Sequence, residues 1–284
     1  MKKLMFAAAA AFCGTVFALE SANIVGYQNR AVEKSGWNLI CNTFLPVNGE
    51  KSAMKLGDFK PAGWDFWSGD TVQFLDAGGG TASFEFEGEM LDALFTYATT
   101  AEGAPADGWY QYDKAYNDMV YVSGDEMSLE YGEGAVYQTT SPETTLVFSG
   151  TVADAPQTIL SDKSGWNLIG NPTPVDINFA DITPDGWDFW SGDTIQFLDA
   201  GGGTESFSWT NPETEEVESL PALFTYATTA EGAPADGWYQ YDKAYNDMVY
   251  ISISDAGFAD LKAGAGFVSQ TVSDSTGIQF PGAL

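Results

Sequence analysis

Residues Leu94 to Tyr121 read LFTYATTAEGAPADGWYQYDKAYNDMVY, and residues Leu223 to Tyr250 repeat this stretch letter for letter. The copies lie roughly 130 residues apart, a period that is too long for a solenoid repeat and is the size of a domain. The repeat therefore predicts two tandem domains of related structure before any secondary structure is considered.

Two shorter stretches recur with the same order. SGWNLI begins at Ser35 and at Ser164, and GWDFWSGDT begins at Gly63 and at Gly186 and continues in both copies to the turn DAGGGT. The segments between these blocks differ, and only the second copy carries the acidic insert TNPETEEVES. Either gene conversion has patched parts of the gene, or the identical segments form a shared functional surface.

The N-terminal residues have the pattern of a secretory signal peptide. Two lysines precede an apolar stretch that is too short to span a bilayer comfortably, and Ala18 is a small residue of the kind that signal peptidase requires. We therefore expect a signal peptide over residues 1–18, a first β domain over 19–152 and a second β domain over 153–284. The expected product is secreted or held at the cell surface, and no other stretch approaches a membrane span.

The charge of the chain excludes several classes of function. The sequence has 40 acidic and 11 basic residues, a formal charge of −29, and no histidine. Such a charge excludes nucleic acid as a partner, and the lack of histidine removes His-based triads and His metal sites. Cys41 is the only cysteine beyond the signal peptide, so an intramolecular disulfide is excluded. The sequence does not predict an oligomeric state.

The apolar periodicity is that of β-strands. Residues 81–87 alternate, with Ala82, Phe84 and Phe86 on one side of the chain. The glycine-rich turn that begins at Asp76 separates this run from the strand before it, as in a hairpin. Short runs of this kind, bounded by Gly, Ser or Pro, fill both copies, and helix is scarce. We predict an all-β protein of two tandem β-sandwich or barrel-like domains.

Several motifs carry a resemblance to a known kind of module. The second copy reads GWNLIGNPTPVDI from Gly165 and later LKAGAGFVSQ, and the first copy reads GWNLICNTFLPV from Gly36. This pattern resembles the GWNLIGNP-type β-modules of duplicated secreted bacterial proteins. The first copy departs from it at Cys41, Thr43 and Ala135. The resemblance implies a β fold and export, and it transfers no site residue.

Clustered aromatic residues form the first candidate site. If WDFW is a strand, Trp64 and Phe66 share one face and Trp67 lies on the other. One face then packs in the core, and the other presents a platform for a sugar ring, with neighbouring carboxylates bonding its hydroxyls. The alternative is that all these rings belong to an ordinary β-sheet core. The predicted ligand-binding residues are Trp64, Trp67, Asp70, Trp109 and Tyr112, with Trp187, Trp190, Asp193, Trp238 and Tyr241 in the second copy.

A calcium site is the second candidate. Calcium takes six to eight oxygen ligands, and loops rich in Asp, Asn and Gly supply them. The spacing here does not match an EF-hand loop, and turn chemistry alone explains such residues. The predicted ligands are Asp107, Asp113, Asn117 and Asp118, with Asp236, Asp242, Asn246 and Asp247 in the second copy. No other cofactor is predicted.

The function predicted first is that of a non-enzymatic extracellular or cell-surface module, structural or adhesive, with two equivalent faces that bind by avidity. A glycan or another cell-surface component is the expected partner. One alternative is a carbohydrate-binding protein that uses the paired aromatic platforms. Another is a glycoside hydrolase with an acid pair, which 40 carboxylates allow by chance. No catalytic residue is assigned.

Overall fold

The computed structural model describes residues 25–31, 35–45, 54–140, 144–153, 155–161, 164–272 and 276–282. Strands account for 45% of the described residues and helical turns for 14%, and no helix within these ranges reaches seven residues. The all-β prediction is confirmed. The predicted signal peptide lies outside the described residues. Within these ranges we find no helix with the length and apolar character needed to cross a bilayer.

The first copy consists of two main sheets and two small ones. Its five-stranded antiparallel sheet has the order β2-β11-β5-β8-β9 and its three-stranded sheet has the order β1-β12-β4; β3 pairs with β10, and β6 with β7. The strands are β1 (Val25–Ala31), β2 (Gly36–Cys41), β3 (Met54–Lys55), β4 (Lys60–Ala62), β5 (Thr71–Gln73), β6 (Ser83–Phe86), β7 (Glu89–Asp92), β8 (Leu94–Ala98), β9 (Gly108–Gln111), β10 (Ser128–Leu129), β11 (Gly134–Thr139) and β12 (Thr145–Thr151).

The second copy repeats this topology strand for strand. Its five-stranded sheet has the order β14-β23-β17-β20-β21 and its three-stranded sheet the order β13-β24-β16; β15 pairs with β22, and β18 with β19. The strands are β13 (Gln157–Leu160), β14 (Gly165–Gly170), β15 (Ile177–Asn178), β16 (Thr183–Asp185), β17 (Thr194–Gln196), β18 (Ser206–Thr210), β19 (Val217–Pro221), β20 (Leu223–Ala227), β21 (Gly237–Gln240), β22 (Asp260–Leu261), β23 (Gly266–Thr271) and β24 (Gly277–Phe280).

In the described part of the chain, helical structure is limited to single turns that join the strands. The 3-10 turns are Leu56–Asp58, Phe66–Ser68, Thr100–Glu102, Phe179–Asp181, Phe189–Ser191 and Thr229–Glu231, and the π-helical turns are Lys114–Asp118 and Lys243–Asp247.

Each copy has one aromatic core between its two main sheets. In the first copy Phe95 and Trp109 of the five-stranded sheet share a buried cluster with Leu146 and Phe148 of the three-stranded sheet. The indole N–H of Trp109 donates to the carbonyl oxygen of Phe59 at 3.1 Å, so the polar atom of this fully buried ring is satisfied. Each copy is therefore a two-layer β structure whose tryptophan strand, β9 or β21, lies against the core.

The two copies dock through their Gly-Trp strands, β2 and β14. The backbone N–H of Trp37 donates to the carbonyl oxygen of Ala200 at 2.9 Å, and that of Trp166 donates to Ala77 at 2.9 Å. Each bond runs from the start of one copy's strand to the glycine turn of the other copy. Because each of these two bonds is the mirror of the other, the copies are related by approximate twofold symmetry, as in an isologous dimer.

Glycine is required in these turns because a tryptophan ring lies on them. The ring of Trp37 rests on Gly202 and the ring of Trp166 rests on Gly79; a Cβ at either glycine would come within 2.9 Å of the ring. Asp76 shapes the turn in the first copy, since its carboxylate accepts from two backbone amides at 2.8 and 2.9 Å. Each copy uses its SGWNLI strand to contact the DAGGGT turn of the other copy. This reciprocal contact explains why both motifs recur.

Cys41 lies where the two copies meet. Its backbone N–H donates to Gly264 at 3.1 Å, and the equivalent N–H of Gly170 donates to Gly132 at 3.2 Å. A Cβ on Gly170 would lie 2.7 Å from the Cβ of Cys41, so only one copy can carry a side chain here. Burial raises the pKa of the Cys41 thiol well above its usual value, which suppresses the nucleophilic thiolate. Cys41 is therefore a packing residue of the interface.

Apolar side chains from both copies complete this interface. A buried cluster takes members from β11 and β23 and from the turns that follow β5 and β17, and it places the two tryptophans at its margin. Its residues are Leu75, Val136, Leu168, Leu198 and Val268, with Trp37, Leu39 and Trp166 packed against them. The interface therefore combines backbone hydrogen bonds with buried apolar area, which is how a stable domain contact is built.

Substitution of Gly202 tests the docking. Gly202 and Gly88 both have left-handed backbone conformations, with φ of +83° and +86°, but a Cβ at Gly88 has nothing within 4 Å. Alanine therefore causes similar backbone strain at both positions, but only the Cβ of Gly202→Ala clashes with the Trp37 ring. We expect Gly202→Ala to lower the free energy of unfolding by about 1–3 kcal/mol more than Gly88→Ala, measured by guanidinium chloride denaturation. Equal losses would show that the ring contact contributes nothing to stability.

Candidate functional site

WDFW is not a strand: the 3-10 turn Phe66–Ser68 follows Asp65, so the alternation of faces that a strand would give does not apply. Asp65 caps the 3-10 turn Phe66–Ser68: its Oδ1 accepts from the N–H of Trp67 at 3.0 Å and from that of Ser68 at 3.3 Å. Gly69 ends the turn in a left-handed conformation, with φ of 79°. An Asp at the N-cap position and a Gly at the C-cap position stabilise a helical turn locally, and they outweigh the strand preference of the aromatic residues.

This turn buries one ring and exposes the next. Phe66 is 3% exposed and anchors the turn in a buried cluster with Tyr110 and three alanines, whereas Trp67 is 58% exposed. The two rings meet edge to face, with centroids 4.8 Å apart. The anchor therefore holds the Trp67 ring in solvent at a defined angle.

Two tyrosines extend the surface that Trp67 begins. Tyr112 and Tyr116 stack with centroids 5.1 Å apart and planes inclined by 18°, and the Tyr116 ring lies 6.1 Å from the Trp67 ring. The hydroxyl of Tyr116 also donates to the carbonyl oxygen of Trp67 at 3.4 Å. We call Trp67, Tyr112 and Tyr116 the first aromatic platform.

The second copy carries the same arrangement. Trp190 is 57% exposed, its ring lies 6.0 Å from that of Tyr245, and Tyr245 stacks on Tyr241 at 5.1 Å. We call Trp190, Tyr241 and Tyr245 the second aromatic platform. The agreement of distances and exposures means that one molecule presents the same aromatic surface twice.

The π-helical turn Lys114–Asp118 creates the tyrosine stack. Because Tyr112 and Tyr116 are four residues apart around this turn, their rings come to one side of it. The buried side chain of Gln111 accepts from the N–H of Lys114 at 2.8 Å and so fixes where the turn begins. Partial burial raises the pKa of Tyr112, and Tyr116 and Asp113 raise it further, so its phenol is a hydrogen-bond donor at neutral pH. The predicted site residues omitted Tyr116 and Tyr245, although their spacing from Tyr112 and Tyr241 was the available signal.

The other predicted ligand residues lie in the core or against it. Trp109 is fully buried, and Trp64 is half-buried with its ring stacked 5.3 Å from that of Tyr137. Asp70 is also fully buried, and its Oδ1 accepts from the N–H of Thr140 at 3.1 Å. The same places in the second copy are held by Trp238, Trp187 and Asp193. Of the ten predicted residues, those that reach solvent as platform members are Trp67, Tyr112, Trp190 and Tyr241.

The residues predicted to bind calcium serve local turns. Asp107 accepts from the backbone N–H of Thr100 at 3.1 Å and so stabilises the 3-10 turn that precedes β9. Asp113 borders the π-helical turn, and Asn117 and Asp118 lie exposed within it. Asp236, Asp242, Asn246 and Asp247 occupy the same positions in the second copy. Across the described ranges, no three His, Cys, Asp or Glu side chains come together in a group that would hold a metal ion.

The capping bonds of Asp65 predict that the stability of the turn that carries Trp67 depends on pH. Hydrogen bonds from the Ser68 hydroxyl, and then from the amides of Ser68 and Trp67, lower the pKa of Asp65 below its unfolded value of about 3.9. A lowered pKa stabilises the turn at every pH above the unfolded value, and the effect is lost as the pH falls through the folded value. We expect the protection factor of the Trp67 amide, which corrects the exchange rate for its intrinsic pH dependence, to fall in that acidic range.

Asp65→Asn tests this assignment and Asp188 is its internal control. The variant retains an oxygen acceptor but has no titrating charge, so the protection factor at Trp67 should lose its acid dependence. Asp188, whose pKa is lowered by the Ser191 hydroxyl and the Trp190 amide, should still confer that dependence on Trp190 in the same molecule. If both amides behave alike in the variant, Asp65 does not control the turn.

Comparison with known proteins identified no matching family model, no matching curated protein and no matching solved structure. The geometry of the two platforms is therefore the basis of the functional argument.

Proposed function

We propose that this protein is an exported, non-enzymatic adhesive module that binds neutral carbohydrate chains through its two aromatic platforms. The observation that carries the proposal is the exposure of Trp67 and Trp190, at 58% and 57%, in a fold that buries its core tryptophans Trp109 and Trp238. Large exposed aromatic rings that are held in place by packing mark a binding surface, because exposing them has no structural benefit.

The chemistry of the platforms suits a sugar. An aromatic face attracts the C–H bonds of a pyranose ring, and hydroxyl and carboxylate groups around it accept and donate hydrogen bonds. Tyr112 supplies a protonated phenol beside the Trp67 ring, and exposed Asp65 and Asp113 supply carboxylate oxygens. The formal charge of −29 repels polyanions, which favours neutral glycans over sulfated or uronic-acid polymers.

The chemistry near the platform also supports a non-enzymatic role. The carboxylate nearest to the Trp67 ring in the chain is Asp65, whose pKa is lowered by its capping bonds. A glycosidase needs the opposite, a carboxylic acid with a raised pKa that can protonate the leaving group. Asp65 is a cap of the binding turn in this proposal, and the protein holds its ligand without cleaving it.

Bivalency follows from the docking of the two copies. The bonds that join Trp37 to Ala200 and Trp166 to Ala77 keep the two platforms in one relative orientation. Fixing the geometry in advance lowers the entropy lost when both platforms engage one chain. A polymer with repeated sugar units therefore gains avidity that a single oligosaccharide does not.

Tryptophan truncation tests the proposal. We expect Trp67→Ala and Trp190→Ala each to reduce the number of oligosaccharide sites from two to one by isothermal titration calorimetry. Because avidity needs both platforms, each single variant should weaken polymer binding by about 10²–10⁴-fold, and the double variant should abolish it. Each exposed substitution should change the free energy of unfolding by no more than about 0.5 kcal/mol.

Met90→Ala is the matched control, since Met90 is 66% exposed and apolar but lies on the β6–β7 hairpin outside the platforms. It should bind as the native chain does. Affinity gels and a glycan array identify the polymer to use. If the native chain retains no neutral glycan, or if the double variant binds as well as the native chain, the carbohydrate proposal is wrong.

A further inference from the structure

The two copies differ in the loop that lies beside the core tryptophan strand, β9 or β21. We call the place where this loop meets that strand the corner. In the first copy the Oδ1 of Asp125 accepts from the backbone N–H of Trp109 at 2.9 Å. The carboxylate fills the corner: a Cβ on Gly108 would lie 3.0 Å from its Oδ2, and a Cβ on Gly57 would lie 2.9 Å from the Cβ of Asp125. This corner of the first copy is therefore built around a carboxylate, with glycine on two sides of it.

Ser254 takes the place of Asp125 in the second copy. The backbone bond from Gly124 to the Trp109 carbonyl oxygen, at 2.8 Å, has its counterpart in the bond from Ile253 to Trp238, at 2.9 Å. The residue that follows in the chain is Asp125 in one copy and Ser254 in the other. Ser254 therefore follows the same backbone bond as Asp125 but has no carboxylate, and the loop that continues to β22 is three residues longer than the loop that continues to β10.

Without this carboxylate, the second copy has, in its described part, a backbone donor with no side-chain acceptor and an unfilled space beside it. Among the residues that the structure describes, no side chain accepts from the backbone N–H of Trp238, although this residue is almost fully buried. A Cβ on Gly237 would meet only the ring of Tyr239, at 3.7 Å or more, whereas its counterpart in the first copy is crowded by the carboxylate. A cavity of about 180 Å³ lies here.

The walls of this cavity combine apolar and polar groups. Ile182 and Ile253 supply apolar area, and Ser254 and Tyr226 bring hydroxyl-bearing side chains to the lining. The hydroxyl of Ser252, which also lines the cavity, donates to Asp255 at 2.7 Å. A cavity of roughly 150 Å³ is large enough to admit a benzene ring. The second copy therefore has room for a carboxylate together with a short alkyl or aromatic group.

We propose that this cavity binds a small monocarboxylate, whose carboxylate accepts from the Trp238 N–H as Asp125 accepts from the Trp109 N–H. The first copy shows the expected bound arrangement, because its Asp125 carboxylate takes the position that the ligand carboxylate would take in the second copy. The site is distinct from the aromatic platforms, and the proposal does not depend on carbohydrate binding.

Nearby acidic groups do not prevent a carboxylate from binding in this cavity. Asp236 lines the cavity, but its Oδ1 already accepts from the N–H of Thr229 at 2.9 Å. Asp255 follows Ser254 in the chain, and its carboxylate accepts from the Ser252 hydroxyl at 2.7 Å. In the first copy the equivalent Asp107 coexists with the Asp125 carboxylate beside the same tyrosine positions. The corner therefore accommodates two carboxylates when one of them accepts a backbone N–H, because a charge-assisted bond of this kind is strong.

Acetate titration of the full chain tests the site. With tryptophan labelled with nitrogen-15, the backbone amides of Trp238 and Trp109 report on the two corners of one molecule. We expect sodium acetate, at constant ionic strength set with sodium chloride, to shift the Trp238 amide saturably with a Kd on the order of 1–10 mM, as befits a ligand of few atoms. Trp109 should not move, and acetamide, which has no charge, should leave Trp238 unmoved.

Substitutions that exchange residues between the two corners supply matched variants. Ala180→Gly with Ser254→Asp introduces the carboxylate and the neighbouring glycine of the first copy. This variant should weaken the acetate response at Trp238 by about tenfold or more, since the new side chain competes for the N–H. Asp125→Ser opens the other corner, so the Trp109 amide should become sensitive to acetate.

The proposal fails if acetate leaves the Trp238 amide unmoved, or if sodium chloride alone moves it equally. Those results would mean that water fills the cavity. It also fails if Trp109 and Trp238 respond alike in the native chain. These readings come from the native protein, so the test does not depend on the variants being folded.

Discussion

The structure depends on the reciprocal contact between a tryptophan strand and a glycine turn. β2 and β14 are edge strands of their sheets, and an uncovered edge invites pairing with other chains. Here each edge covers the other, and the ring of Trp37 or Trp166 rests on a turn that only glycine can form. The contact fixes the identity of Gly79 and Gly202 and explains why Cys41 faces a glycine.

Much of the fold followed from the sequence, because repeats and period-two patterns are local signals. The β2–β14 contact did not follow, since the partner of each motif lies in the other copy, more than a hundred residues away. The turn at Phe66–Ser68 was not predicted, because one capping residue, Asp65, overrides the strand preference of three aromatic residues. Asp70 resembled a ligand and is instead a buried acceptor for Thr140, which only the folded chain brings near.

The distribution of identity between the copies matches the division of roles that we propose. The platform residues fall within the segments that are identical in both copies, whereas the corner at Asp125 and Ser254 falls just beyond them. Two equal platforms suit a repetitive ligand, and one open cavity suits a single small ligand. The duplicated architecture thus carries both a repeated surface and a feature that only the second copy has.

Hydrogen exchange at the amides that cross between the copies tests the docking most directly. The N–H groups of Trp37, Cys41, Trp166 and Gly170 all donate to the opposite copy. If the copies form one unit, these amides exchange only through global unfolding, as slowly as the amides of the central strands β5 and β17. Fast exchange at all four amides, with the central strands still protected, would show that the copies separate readily and would contradict the account.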